Sequence, residues 1–474
     1  MSQPATPPEP PATPVLGHGR AFASDALGFL ESSAELGPVV GIRVPGRRMY
    51  LLTEPDLIED VLHDPARFGL GRAQQREFQR FEEHAVVANT GDRWRRLRGA
   101  VGPAFARENL DRYRDPMLRV IRRRIEGWDP DEPFDLHREA QYLTLHVVAA
   151  TLLDVDVRGE EAPFLTAVDL LVERSDATQF SNLLPDWIPT PRRRRMDRAV
   201  EEVHEFVGQV VAQRAEAHNS TGNVATSGSD GATGDGDGAT DSDPAGTAQT
   251  EEGDGRPPDA LSILLDAHER GELTLEELRH NVVMLFLAGT DTTATALTYA
   301  LYLLDRHPEE RQRVRAEIDA IAGGDPTAID DWRDLERTRN AVREALRLYP
   351  PAFAVVRRAR EDVELGGYEI AAGSDLMVSQ WVMHRDERFF PDPETFDPDR
   401  WDRDVDRPEY AYFPFSGGPR HCMGMYFAQQ ELALAVATIV GTVDYAVEPQ
   451  GELTLQPALS LRPEVELRTT VRPR

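Results

Sequence analysis

The longest helix that the sequence predicts does most to restrict the fold of this chain. Residues 274–306 carry apolar side chains with helical periodicity over more than eight turns. The helix is expected to begin at Thr274, which has Glu277 three residues on in the pattern of a capping box, and to end before Pro308. Further helices are predicted at 308–321, at 334–348, and from just beyond residue 422 to about 441. A chain with this pattern is mainly helical.

The predicted strands are short and lie apart from one another. Residues 41–45 and 48–53 are expected to pair as a hairpin around a turn at 46–47. Brief strand-like pieces follow at 354–357, 361–365 and 376–378, and weak strands close the chain. We therefore expect a mainly α fold with small peripheral β-sheets (α+β), built as a single large domain over residues 15–474.

Two segments are predicted to lie outside the packed fold. Residues 1–14 are rich in proline and are expected to form a disordered tail. Residues 219–258 are mostly Gly, Ser, Thr, Asp and Ala, which cannot offset the entropy of ordering their backbone. We expect them to form a disordered acidic insertion.

The charge balance excludes several classes of partner. The chain has 53 Lys+Arg against 82 Asp+Glu, a formal net charge of −29, and no lysine, so every fixed side-chain cation is arginine. Such a surface repels nucleic acid and anionic lipid. It is typical of a halophilic protein in a high-salt cytoplasm, although GC-rich codons or ordinary acidity would also produce it. The absence of a signal peptide, of a long apolar run and of a second cysteine predicts a soluble cytoplasmic protein without a membrane anchor.

The one cysteine, Cys422, lies in an unusual neighbourhood. Glycines at 417, 418 and 424 would let a flat ligand approach the backbone, and a helix beginning here would favour the thiolate. Phe415 would keep water from the sulfur, and Arg420 could bind a carboxylate. The alternative is a glycine-rich turn in which the cysteine is incidental.

This segment resembles the haem-binding signature of the cytochrome P450 family, F-x-x-G-x-x-x-C-x-G. The matching residues are Phe415, Gly418, Cys422 and Gly424. The resemblance implies a cytochrome P450 fold, a haem b cofactor with Cys422 as the axial ligand of the iron, and Arg420 as a partner of a haem propionate.

A second motif lies within the long helix, at residues 288–293. A threonine hydroxyl here can bond the carbonyl four residues back, that of Ala288, and open a local bulge. Small residues could equally serve a helix–helix contact. The segment resembles the family's A/G-G-x-D/E-T-T motif, which implies that Thr292 and Asp291 support proton delivery to bound O2.

Further arginines resemble family positions for the haem propionates. Trp94 and Arg98 fit W-x-x-x-R, although a surface arginine beside a core tryptophan would look the same. Arg357 resembles another propionate ligand, with adjacent Arg358 as the alternative.

Other motif residues are expected to be structural. Glu344 and Arg347 resemble the family's E-x-x-R, and with Arg400 they would form an ion network that locks the core. For His384 we expect a structural role.

The resemblance implies a monooxygenase that inserts one oxygen atom into a small, apolar organic substrate. Only about fifty residues follow Cys422, too few for a reductase domain, so electrons should come from a separate ferredoxin or flavodoxin with its reductase. We expect a monomer that binds this donor on a basic patch including Arg95 and Arg96. Substrate walls are expected at 68–87, 168–184, 285–288, 352–356 and 457–461, with Arg72, Arg76 and Arg80 as candidate carboxylate anchors. A haem-thiolate isomerase or dehydratase, a haem sensor and a purely structural helical protein are the competing hypotheses.

Overall fold

The helices and strands are those of a computed structural model that describes residues 6–13, 17–44, 47–175, 191–226 and 259–474. The α-helices of this part of the chain are α1 (Gly19–Ser24), α2 (Ala26–Ala34), α3 (Pro55–His63), α4 (Arg72–Glu82), α5 (Gly91–Val101), α6 (Arg107–Glu126), α7 (Leu136–Leu152), α8 (Glu161–Ser175), α9 (Pro191–Thr226), α10 (Ala260–Glu269), α11 (Leu275–Arg306), α12 (Pro308–Ala322), α13 (Glu336–Leu348), α14 (Gln380–Met383) and α15 (Met425–Thr442). Helices dominate, as predicted.

The long helix α11 forms the centre of the molecule. The Oγ1 atom of Thr274 accepts a hydrogen bond from the backbone of Glu277 at 3.1 Å, and the Glu277 carboxylate accepts one from the backbone of Thr274 at 3.1 Å. This capping box confirms the predicted start. The helix packs against α7, α13 and α15 and is apolar on almost all sides, as expected of a buried helix.

The strands form four small sheets at the edge of the helical core, in the described part of the chain. The strands are β1 (Val39–Val44), β2 (Arg47–Leu52), β3 (Phe68–Leu70), β4 (Phe134–Asp135), β5 (Val355–Ala359), β6 (Val363–Leu365), β7 (Tyr368–Ile370), β8 (Asp375–Val378), β9 (Val443–Pro449), β10 (Leu455–Pro457), β11 (Leu461–Pro463) and β12 (Leu467–Pro473). The largest sheet has the order β1-β2-β8-β5-β3, in which only β2 and β8 are parallel. The predicted hairpin is confirmed by the antiparallel pairing of β1 with β2.

The prediction of a disordered tail was wrong for residues 6–13. The carbonyl oxygen of Pro8 accepts a hydrogen bond from the backbone of Gly41 at 2.8 Å, and Glu9 forms ion pairs with Arg43 and Arg48 at 2.8 and 2.6 Å. A proline-rich segment is already extended and therefore loses little entropy when it docks along a strand. The other tail residues, 1–5 and 14, lie outside the described residues.

The predicted insertion also begins later than expected. Helix α9 continues to Thr226, because adding a turn to an existing helix costs far less than nucleating one. The remainder, 227–258, lies outside the described residues. None of the described helices is both long enough and apolar enough to cross a membrane.

Candidate active site

Two glycines shape the loop that carries Cys422. Gly418 has φ +65°, and a Cβ there would lie 2.2 Å from the Leu62 carbonyl oxygen; a Cβ at Gly417 would lie 2.4 Å from the Tyr410 ring. The loop closes where the Cys422 backbone N–H donates to the Phe415 carbonyl at 3.0 Å. Gly418, which we expected to face the cofactor, instead lies in this turn and does not line the cavity described next. Only glycine fits there because the turn lies against α3.

A cavity of about 370 Å³ separates the cysteine loop from α11. A Cβ at Gly424 would have only Phe105 near it, at 4.0 Å, so this glycine leaves open space on the cavity wall. Nine of the predicted site residues line this cavity: Trp94, Arg98, Ala288, Thr292, Arg357, Phe415, Arg420, Cys422 and Gly424. Residues far apart in the sequence therefore converge on one space.

The Cys422 side chain is exposed to the open cavity, although protein atoms surround it closely on its other sides. Burial raises the pKa of Cys422, and the Gly424 backbone N–H and the Arg98 charge only partly oppose this effect. The Gly424 N–H beside the start of α15 acts in the predicted direction and favours the thiolate, but burial outweighs it. A bound metal cation would be needed to stabilise the thiolate.

Three arginines face the cavity without a carboxylate partner. Burial lowers the pKa of Arg357 to about 10, and burial together with the charge of Arg357 lowers the pKa of Arg420 to about 10. Burial also lowers the pKa of Arg98. Among the described residues no carboxylate lies within ion-pair distance of any of the three. Arg357 is buried and the other two are half-buried, and cations in such positions without counter-charges indicate an acidic ligand.

The neutral contacts of these arginines hold them in place. Arg420 donates to the Asn89 carbonyl at 2.9 Å, and its guanidinium lies 4.4 Å from the centre of the Trp94 ring. Arg98 donates to the His421 carbonyl at 3.1 Å. Arg357 is 4% exposed and lines the cavity, whereas Arg358 does not, which separates the two alternatives left by the sequence. The cavity thus fits a flat ligand that has a thiol-bound metal at its centre and carboxylates at its edge.

Helix α11 forms the opposite wall. The Thr292 hydroxyl donates to the Ala288 carbonyl at 2.8 Å, as predicted, and these two residues are exposed to the cavity on a helix that is otherwise mostly buried. The expected bulge is absent, because α11 is a continuous α-helix throughout its described length from Leu275 to Arg306. A hydroxyl is nevertheless fixed beside the cavity.

Asp291 points away from the cavity into a buried polar network that the sequence did not reveal. Its Oδ1 atom accepts hydrogen bonds from Arg462 at 2.5 Å and from Gln141 at 3.1 Å, and His137 Nε2 lies 3.9 Å away. Burial alone would raise the pKa of Asp291, but Arg462, and then His137, hold it below its usual value. No motif marks Arg462, which reaches Asp291 from the distant strand β11. The Oδ2 atom of Asp291 has no hydrogen-bond partner among the described residues.

The predicted core-locking network forms in the structure. Glu344 Oε1 lies 2.8 Å from Arg347 Nη2 and 3.1 Å from Arg400 Nε, and all three side chains are buried. Arg347 also donates to three backbone carbonyls, which satisfies the buried charge. His384 Nε2 accepts from the Phe413 backbone at 3.0 Å, which agrees with a structural role.

Both arginines of the predicted patch, Arg95 and Arg96, have a carboxylate partner. Arg95 lies 2.6 Å from Asp92, and Arg96 lies 2.7 Å from Glu277, the residue that also caps α11. These pairs weaken the local positive charge that an acidic partner would need.

Three of the five segments predicted to form substrate walls contribute residues to the cavity lining. From 68–87, 285–288 and 352–356, the residues that line the cavity are Leu70, Gln74, Phe78, Val86, Val87, Leu285, Ala288, Ala352 and Val355. Described residues of 168–175 and 457–461 do not line this cavity, nor do Arg72, Arg76 and Arg80, and 176–184 lies outside the described residues. The carboxylate anchors expected in 68–87 are therefore absent from this wall.

Comparison with known proteins agrees with this geometry. The family model described as Cytochrome P450 matches residues 7–469. The chain is 30% identical to cyclooctatin synthase of Streptomyces melanosporofaciens over 95% of this chain and 92% of that one. It is 31% identical to cyclooctat-9-en-7-ol 5-monooxygenase of the same organism over 91% and 87% of the two chains. It is 28% identical to pentalenene oxygenase of Streptomyces avermitilis over 98% and 95%. The chain belongs to the cytochrome P450 family and is an oxidoreductase that incorporates oxygen.

Proposed function

We propose that this protein holds haem b through Cys422 and inserts one oxygen atom of O2 into an apolar organic substrate. The observation that carries this proposal is the shared cavity of one thiol and three arginines without carboxylate partners. A flat dianionic ligand with a central iron satisfies all of these groups at once.

The cysteine, the three arginines and two aromatic residues of the cavity each have a distinct part in this proposal. The Cys422 sulfur would hold the iron, and Arg98, Arg357 and Arg420 would bind the two propionates of the haem. Trp94 keeps the Arg420 guanidinium in place, and Phe415 shields the sulfur from water. When bound, a thiolate-ligated haem supplies the chemistry that activates O2.

Proton handling is assigned to neighbouring residues of α11. Thr292 presents a hydroxyl to the cavity, held by its hydrogen bond to Ala288. Asp291 is the adjacent carboxylate, and its Oδ2 atom, which has no hydrogen-bond partner among the described residues, is free to accept a hydrogen bond from a proton donor. Arg462 keeps this carboxylate ionised and oriented.

The cavity wall favours a substrate with few polar groups. Aliphatic and aromatic side chains from α4, α5, α7 and α11 make up most of it, and no charged side chain lies on its α4 segment. The related enzymes named above are called after pentalenene and cyclooctat-9-en-7-ol. We infer a hydrocarbon-like substrate of comparable size.

The oxygen source distinguishes this function from its competitors. The test incubates the purified protein under isotopically labelled O2 with a ferredoxin or flavodoxin and its reductase. The substrate panel includes pentalenene and cyclooctat-9-en-7-ol. We expect a product that carries one labelled atom. A product without label would identify an isomerase or dehydratase, and donor oxidation that no panel member stimulates would favour a sensor.

The electron donor is proposed to bind beside the cysteine loop. Arg107 contacts Tyr426 in α15, while Arg339 and Arg343 line a groove with Met425; no carboxylate among the described residues pairs with any of the three. These arginines replace Arg95 and Arg96 as the expected contact. Reversing the charges of Arg107 and Arg343 should slow reduction by an acidic donor, whereas reversing Arg95 and Arg96 should have a smaller effect. The opposite ranking would restore the earlier patch.

A further inference from the structure

A cluster of histidines and glutamate lies outside the candidate active site, where three helices meet. Glu82 ends α4, His204 lies in α9, and His280 lies in the first part of α11. Glu82 Oε1 lies 3.1 Å from His204 Nε2, and Glu82 Oε2 lies 2.7 Å from His280 Nδ1. Both oxygens of one carboxylate thus face imidazole nitrogens from different helices.

The carboxylate of Glu82 is buried without a permanent cation. Its side chain is 0% exposed, and its ion-pair partners among the described residues are the two histidines alone. Other buried carboxylates that form ion pairs, such as Glu344 and Asp291, have an arginine as their partner. A buried carboxylate either takes up a proton, as burial favours for Glu431, or needs a compensating positive charge. A protonated histidine or a metal ion could supply it.

The donor atoms suit a transition metal. The three ligand atoms all lie within 4.8 Å of one another. Two imidazoles and one carboxylate form a well-known set for Zn²⁺, which binds His nitrogen and Glu oxygen at about 2.0–2.2 Å and accepts water as its fourth ligand. The ion would replace the hydrogen bonds that now join the Glu82 carboxylate to the two imidazoles. We propose that Glu82, His204 and His280 bind one divalent ion of the zinc class.

A neighbouring set is less suitable. His84, Glu276 and His280 also bring ligand atoms together. However, the Glu276 side chain is 69% exposed, and His84 Nδ1 lies 2.7 Å from Arg93 Nη2, whose charge repels a cation. Since His280 belongs to both sets, His204 and Glu82 distinguish the proposed site from this one.

The position of the site gives the metal a structural effect. It would connect α4 and α9 to α11, and α4 carries Gln74 and Phe78 on the cavity wall. Binding to the folded state alone stabilises that state. The metal would therefore raise the thermal stability of the protein and fix this part of the wall.

The test is calorimetric titration of Zn²⁺ into the chelator-treated holoprotein, prepared without a histidine tag. We expect one ion per chain and a higher Tm in zinc. His204→Ala, and separately Glu82→Gln, should weaken zinc binding at least about 100-fold, since each removes a direct ligand. His84→Ala, the control, should retain it.

Haem content, measured on the same samples, shows whether each variant has folded, and it separates this proposal from the haem assignment. If a variant loses haem, His204→Gln replaces it, because the amide keeps the volume but is a poor zinc ligand. No zinc uptake by the wild type would overturn the proposal. So would zinc binding that depends on His84 and survives the loss of His204.

Discussion

At the scale of single residues, the site depends on charges that are left without partners. The chain pairs most of its arginines with carboxylates, yet it places Arg98, Arg357 and Arg420 around one cavity without them. Burying such cations costs free energy unless a ligand offsets it. The same reasoning applies with opposite sign to Glu82, a buried anion held only by histidines. The arginines that face the cavity and the cluster around Glu82 are thus the two candidate ligand sites.

Replacing Arg357 should weaken haem retention. Arg357→Gln removes one charge-assisted contact to a propionate, worth about 1.5–3 kcal/mol, or roughly 10- to 100-fold in haem dissociation rate. The measurement is haem transfer to an excess of apomyoglobin. Arg358→Gln is the matched control on the same strand, and it should leave the rate unchanged because Arg358 does not line the cavity. Equal effects of the two changes would contradict the assignment.

At the scale of helices and strands, local signals in the sequence determined what could be predicted. Thr274 and Glu277 fixed the start of α11, and Pro308 fixed its end, because caps and proline act through neighbouring residues. The strand β3 carries no such signal, since its three residues become a strand only by pairing with β5. The contact of Arg462 with Asp291 was unpredictable for the same reason, as it joins residues far apart in the chain.

The cavity-lining residues followed from motifs, whereas the chemistry around them did not. The motif gave Cys422 and Gly424 correctly as cavity residues, but it did not show that Gly418 serves the turn. The ionisation of Cys422 depends on burial, which no local pattern reports. The network behind Asp291 depends equally on packing between α7, α11 and β11.

The contact between α7 and α11 should make the fold sensitive to acid. Burial lowers the pKa of His137 from the ordinary 6.5 to about 4. The charge of Asp291 opposes this shift, and the charge of Arg462 adds to it. Between pH 6.5 and pH 4 the unfolded chain therefore binds more protons at this histidine than the folded chain does. The contribution of His137 to the free energy of unfolding is fully present above pH 6.5 and is lost as the pH falls toward 4. We expect His137→Asn to lessen this loss by about 1–3 kcal/mol in urea unfolding at pH 7 and pH 5. Identical pH dependence in both proteins would contradict the pKa shift.

At the scale of the whole molecule, the net charge of −29 sets the solution behaviour. Arginine–carboxylate pairs neutralise only part of the surface, and the remaining carboxylates repel one another. We propose on this basis that the protein is adapted to a salt-rich cytoplasm.

Salt should stabilise the folded protein. The Debye length falls from about 10 Å at 0.1 M to about 3 Å at 1 M, which screens the repulsion between carboxylates more than it weakens close ion pairs. We expect Tm to rise by several degrees between 0.1 and 2 M KCl. Sucrose at matched water activity is the control for general exclusion effects. A Tm that falls as KCl rises would contradict adaptation to high salt.

The most direct test of the central claim is the absorption spectrum of the reduced, CO-bound protein, recorded for the wild type and for Cys422→Ser. The wild type should show the thiolate–CO band and the variant should lose it, because Cys422 is the only cysteine of the chain. Arg358→Gln, which leaves the cavity intact, should keep the band. A wild type that binds no haem, or a variant that keeps the thiolate spectrum, would contradict the account.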